Sequence, residues 1–198
     1  MTELFAEQIW WYIARAGGIV ALGLTGVSVL WGLLLTTRFL GSTPRPKWLL
    51  DLHKFLGGLS ILFTLIHVVA LIADSFVSFG IVDVLIPFAS SWKPSAVAWG
   101  VLSFWLLVAV QGSSLMMRKL PRSWWRGVHM GSYVALWAGT MHGITAGTDA
   151  SSLPILLGVG GLTGLITFLT GWRILVPKSR ATPRDKKPRR VEPNLRSG

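Results

Sequence analysis

LLDLHKFLGGLSILFTLIHVVALIA, residues 49–73, holds one acid (Asp51) and one lysine (Lys54), both near its start, and two histidines, His53 and His67. At ~1.5 Å per residue such a run forms a helix long enough to cross ~30 Å of hydrocarbon. Apolar residues fill every register rather than alternating, which argues against a membrane strand. A helix apolar on all sides needs either lipid or a large protein around it.

Four further runs of this kind flank it. They extend roughly over Ile9–Thr36 with Arg15 near its start, Ala96–Met117, Trp124–Ala146 with His129 and His142, and Leu153–Val176. The expected architecture is therefore all-α: an integral membrane helical bundle of about five transmembrane helices in one domain, residues 1–176. Composition agrees. Hydrophobic residues make up 52% of the 198 and charged residues only 14%, against ~25% charged in a soluble domain. Cysteine is absent, which excludes disulfides, thiolate metal sites and iron–sulfur clusters.

The formal charge of +11 is concentrated. Residues 177–198 carry eight Lys and Arg among four prolines. That composition suits a disordered basic tail beside anionic lipid. No folded basic face accompanies it, so nucleic acid is not an expected partner. Arg38, Arg45 and Lys47 separate the first two runs, and Arg118, Lys119 and Arg122 separate the third and fourth. The 74–94 link has a single lysine, Lys93, and the turn near Asp149 has none. The positive-inside rule then places the chain in the plasma membrane with its N-terminus outside and its C-terminus in the cytoplasm. Met1–Glu7 lacks a basic region, so no cleavable signal peptide is expected. The apolar link 75–94 reads as a lid on the outer interface. Many of the eleven tryptophans fall near span ends, as in an aromatic belt. Trp137, between two histidines, is the one candidate for an electron relay.

All four histidines lie inside expected spans, where ionisable groups are costly and usually functional or paired. On α-helical geometry His53 and His67 are ~21 Å apart and share a face. His129 and His142 are ~20 Å apart, but 13 residues rotate them by ~140°, for which a kink at Gly131, Gly139 or Gly143 offers relief. Both helices start on the same side. His53 then lies level with His129, and His67 with His142. Each level offers two facing imidazoles, the ligand set of a six-coordinate haem iron. Zinc would need more ligands converging at one point. A weak repeat supports the symmetry: Pro46, Lys47, Trp48 and His53 correspond to Pro121, Arg122, Trp124 and His129.

This double spacing, His-x13-His on one helix and His-x12-His on a later one, resembles the transmembrane haem domain of ferric reductases and NADPH oxidases, a group that includes the haem subunit of the bacterial methionine sulfoxide reductase system. The resemblance spans roughly Trp10–Val176. It implies two haem b groups, an inner one on His53 and His129 and an outer one on His67 and His142. Propionates would need cationic partners: Arg15 for the outer haem, and Lys54, Arg122 and Arg126 for the inner. There are departures. Five spans are expected where six are usual, and only about 22 residues follow the last span, with no flavin or NAD site. The implied role is an oxidoreductase component, a di-haem cytochrome taking electrons from a separate flavoprotein or from quinol. The acceptor would be ferric iron or a periplasmic protein. Alternatives are a proton-coupled transporter, which the near absence of acids in the spans disfavours, and a non-catalytic assembly subunit docking through its glycine-rich last helix.

Overall fold

A computed structural model describes residues 2–36, 46–75, 79–149 and 152–175. The basic tail 177–198, and Arg38 and Arg45 of the first basic link, lie outside the described residues. The described residues are helical without strands: α1 (Thr2–Thr36), α2 (Lys47–Ala73), the short α3 (Ile81–Leu85), α4 (Pro94–Leu115), α5 (Arg122–Ala146) and α6 (Leu153–Ile155). A π-helical turn, Leu156–Gly160, joins α6 to α7 (Gly161–Leu175).

Prolines set several starts. Pro46 and Pro121 precede α2 and α5, and Pro94 is the first residue of α4, where a missing N–H costs nothing. Lys93, just before it, takes a left-handed conformation with φ 42°.

Among the described residues four helical stretches, rather than the expected five, are long and apolar enough to cross a membrane: Gln8–Thr36, Lys47–Ala73, Pro94–Leu115 and Leu153–Leu175. The protein is a multi-pass membrane protein. α5 has the length, 25 residues, but falls short in apolarity. Two arginines, two histidines and a run of Gly, Ser and Thr dilute its Val, Leu, Met and Trp.

The four long helices α1, α2, α4 and α5 alternate in direction. α1 packs mainly on α2 and α4 mainly on α5, giving two antiparallel hairpins joined by lesser seams, α1 on α5 and α2 on α4. α2 and α5 lie across the diagonal. No Cα of one comes within 8 Å of a Cα of the other among the described residues. α7 covers the α1–α5 side through Ile166, which packs with Val29 and Leu136.

Small residues fill the interior and large ones face outward. Ala14, Ala21, Ser28, Ser60, Ala70, Ser103, Ala135 and Ala138 are buried, while Phe55, Leu65, Val69, Trp137, Phe168 and Trp172 are exposed. Water would reverse this order, whereas lipid rewards small interfacial residues that let backbones approach. Interior hydroxyls tie helices together: Ser103 Oγ donates to Ala135 O on α5 at 2.8 Å, and Thr140 and Thr163 share a 2.9 Å bond.

The described part of the apolar link, 79–94, holds α3 and its flanks. Phe79 and Val84 pack on Val97 and Val101 of α4, with Val68 and Leu71 of α2 beside them. Ile81, Val82, Ile86 and Phe88 stay exposed.

Candidate functional site

The alternating bundle brings the N-terminal part of α1, the C-terminal parts of α2 and α5 and the start of α4 to one end, here called upper. Two histidine pairs bridge the α2–α5 diagonal. The upper pair is His67 and His142, ring centroids 6.2 Å apart and planes at 76°. The lower pair is His53 and His129, 6.0 Å apart at 72°. The structure thus pairs the four histidines level by level, as their sequence positions suggested. α5 is helical throughout, so the 13-residue spacing is accommodated without unwinding at its glycines.

The backbone of the neighbouring helix holds three of the rings. Nδ1 of His67 donates to Ala14 O at 2.6 Å, Nδ1 of His142 to Ala96 O at 2.8 Å, and Nδ1 of His53 to Ser28 O at 3.1 Å. One turn beyond each of these carbonyls stands a glycine: Gly18, Gly100 and Gly32. A Cβ on Gly18 would sit 2.9 Å from Nδ1 of His67, and one on Gly100 2.8 Å from Nδ1 of His142. At Gly32 the nearest atom would be Cε1 of His53, at 3.1 Å. A side chain there would cover the carbonyl. Glycine opens a notch in which the ring lies flat on the helix and reaches an oxygen already bonded within it.

The fourth position breaks this pattern. Ser114 takes the place of a glycine one turn beyond Val110, donates its hydroxyl proton to Val110 O at 2.7 Å, and accepts from Nδ1 of His129 at 3.3 Å. Trp125 stacks on the same ring, 5.1 Å between centroids and 27° between planes. Exchange of α1 with α4 and of α2 with α5 therefore carries each histidine support onto its counterpart. The weak repeat at Pro46 and Pro121 is one visible corner of an approximate two-fold relation between the hairpins. The sequence reading missed Gly18, Gly32, Gly100 and Ser114. Their signal was present: Gly18 and Gly32 repeat the 14-residue interval of His53 and His67, as do Gly100 and Ser114.

With each Nδ1 committed, Nε2 is the nitrogen left to each ring. Two metal–imidazole bonds of ~2.0 Å, with ~1.1 Å from each nitrogen to its ring centre, call for centroids ~6.2 Å apart. Both pairs meet that requirement, at 6.0 and 6.2 Å. Nδ1 bonds of this kind fix the tautomer and orientation of metal-binding imidazoles. Among the described residues, no three His, Asp, Glu or Cys side chains converge on one point as a metal set.

A cavity of about 350 Å³ surrounds the upper pair, bounded by Trp11, Arg15, Thr140 and Asp149 among others. Arg15, expected to face a propionate, lies in the cavity wall with its guanidinium paired with Asp149 through two hydrogen bonds and 5.0 Å from the centre of the Trp11 ring. Lys54 pairs with Asp51 at 3.4 Å on the surface, and Arg122 and Arg126 are exposed in the first turns of α5, below His129. None of these four cations touches a histidine. Trp137, the candidate relay, turns to α7 instead and donates to Thr167 Oγ1 at 3.2 Å.

The chain matches no protein-family model, no curated protein and no solved structure.

Proposed function

We propose that this protein is a transmembrane di-haem b cytochrome that moves electrons from a cytoplasmic or quinol donor to an acceptor on the outer side. One observation carries the reading: two imidazole pairs at the separation of a bis-imidazole iron site, each spanning an otherwise open diagonal.

In this reading His67 and His142 hold one haem, His53 and His129 the other, with α5 as a fifth membrane-crossing helix. α5 packs along α4 and keeps level with α2 at both pairs. Each haem would supply one-electron iron chemistry. The chain contributes the rest. Ala14, Ser28 and Ala96 fix three imidazoles through their carbonyls, and Ser114 fixes the fourth. The largely apolar walls of the upper cavity limit water there, and low polarity is one of the levers on haem potential. Arg15, in the upper cavity wall, is the group suited to a propionate there while it keeps Asp149 through Nε and one Nη. Lys54, Arg122 and Arg126 serve the lower haem and carry the positive-inside signal that places this end in the cytoplasm. The donor is a separate flavoprotein or membrane quinol, and the acceptor is ferric iron or a periplasmic reductase partner.

The test is a reduced-minus-oxidised spectrum of the purified full-length chain, with a pyridine haemochrome assay. Two low-spin haems b per chain are expected. His67→Ala or His142→Ala should leave one, and His53→Ala or His129→Ala should leave the other. A colourless protein made with ample haem, or full haem content in any of these variants, overturns the reading.

A further inference from the structure

We propose that Ser114 sets the lower haem site apart from the upper one, raising its reduction potential by offering His129 a weaker hydrogen-bond acceptor than the carbonyl used by the other three histidines. The inference rests on the di-haem reading above and adds to it a residue that touches neither haem.

The four imidazole supports are graded. Both upper rings donate to backbone carbonyls over short distances, 2.6 Å for His67 and 2.8 Å for His142. The lower rings are held more loosely, His53 at 3.1 Å from a carbonyl and His129 at 3.3 Å from a hydroxyl. A strong bond from Nδ1–H makes the imidazole a better electron donor and favours ferric iron; a weak bond favours ferrous.

Ser114 weakens the bond in a defined way. Its own proton goes to Val110 O at 2.7 Å, and that carbonyl is the equivalent of Ala14, Ser28 and Ala96 on the other three supports. The hydroxyl therefore stands between the ring and the stronger acceptor. The stacked Trp125 packs against the ring and restrains it from swinging to another partner.

Two substitutions separate this role from a structural one. In a Ser113→Ala background, since Ser113 Oγ also donates to Val110 O at 3.0 Å, Ser114→Gly recreates the notch at Gly18, Gly32 and Gly100 and opens Val110 O to His129, so the lower potential should fall. Ser114→Ala keeps the carbonyl covered and removes the acceptor, so it should rise. The readout is an optical potentiometric titration of the haem-loaded full-length protein, the lower signal being the one lost in His129→Ala. We expect the order Gly below wild type below Ala. Each step should change the ferric-to-ferrous ratio roughly threefold to tenfold, tenfold being 59 mV for one electron. The upper potential should stay put. A merely structural residue would shift both variants the same way. Should the glycine variant not retain haem, Ser114→Thr, which keeps the hydroxyl, must match wild type while Ser114→Ala rises.

Two haems whose lower potential ignores this order overturn the role of Ser114 alone. Wild-type protein without haem overturns the parent reading and this inference together.

Discussion

Gly100 lies directly against the imidazole of His142: a Cβ there would stand 2.8 Å from Nδ1 and 2.9 Å from Cε1. Ring atoms have no such room to give while the bond to Ala96 O is kept. Gly100→Val should therefore displace His142, cost the protein its upper haem and leave the lower one in place. Gly112→Val on the same helix, where a Cβ meets nothing within 4 Å, is the matched control and should retain both. Haem stoichiometry and the low-spin spectrum of each variant decide it. Equal losses at the two positions would mean that valine harms α4 generally.

Arg15 and Asp149 join α1 to the turn after α5 at the mouth of the upper cavity. Arg15→Asp and Asp149→Arg should each lower the temperature at which the upper haem's Soret band is lost. The double exchange should recover part of that loss, since partners in one ion pair are coupled. Strictly additive effects would show that the two charges act separately.

Gly139 sits on the seam between α4, α5 and α1, where a Cβ would lie 3.1 Å from Ser103 Oγ and 3.2 Å from a Leu22 methyl. Gly139→Val should destabilise the bundle by ~1–3 kcal/mol, the usual cost of overpacking. Unfolding in mixed detergent micelles measures this. Thr163→Val on the same scale tests the neighbouring hydroxyl pair and should cost about 1 kcal/mol by leaving Thr140 with only its Leu136 O bond.

Trp125 presents a different balance. Its ring stacks on His129, yet Nε1 is buried with no hydrogen-bond partner among the described residues. Trp125→Phe keeps an aromatic face and removes a donor that is costly to leave unmet. Stability and lower haem content should hold or improve, whereas Trp125→Ala should reduce both. A loss with Phe comparable to that with Ala would reveal that the indole N–H is engaged when haem is bound.

The sequence disclosed the bundle and the histidine levels for a simple reason. Helical rise is constant, so positions 53 and 129, each a few residues after a proline-set start, fall at one height. Histidine in an apolar run is also conspicuous. What it hid depends on partners distant in the chain. Arg15 was assigned to a ligand because an arginine at that depth needs a counter-charge, but its partner Asp149 lies 134 positions away. Gly18, Gly32 and Gly100 looked like ordinary small residues of membrane helices until the rings were seen resting on them. α5 reads as a span by length and falls short by composition, because its two histidines, the exposed Arg122 and Arg126 and its small residues lower its apolarity. Trp137 lies between two histidines along the helix but on its other side, a distinction that residue order alone does not make.

The open α2–α5 diagonal bears on how the molecule is made. Each hairpin is held mainly by its own helix pair, and α1 with α5 and α2 with α4 provide only narrow contact between them. Under the di-haem proposal, the broadest cross-link between the hairpins once both are in the bilayer is the one the pigment would supply. Maturation would then be a race between porphyrin delivery and disposal by membrane proteases. Cells starved of haem should accumulate little of the chain, even with its synthesis unchanged, and a pulse-chase experiment with and without haem supply measures that directly.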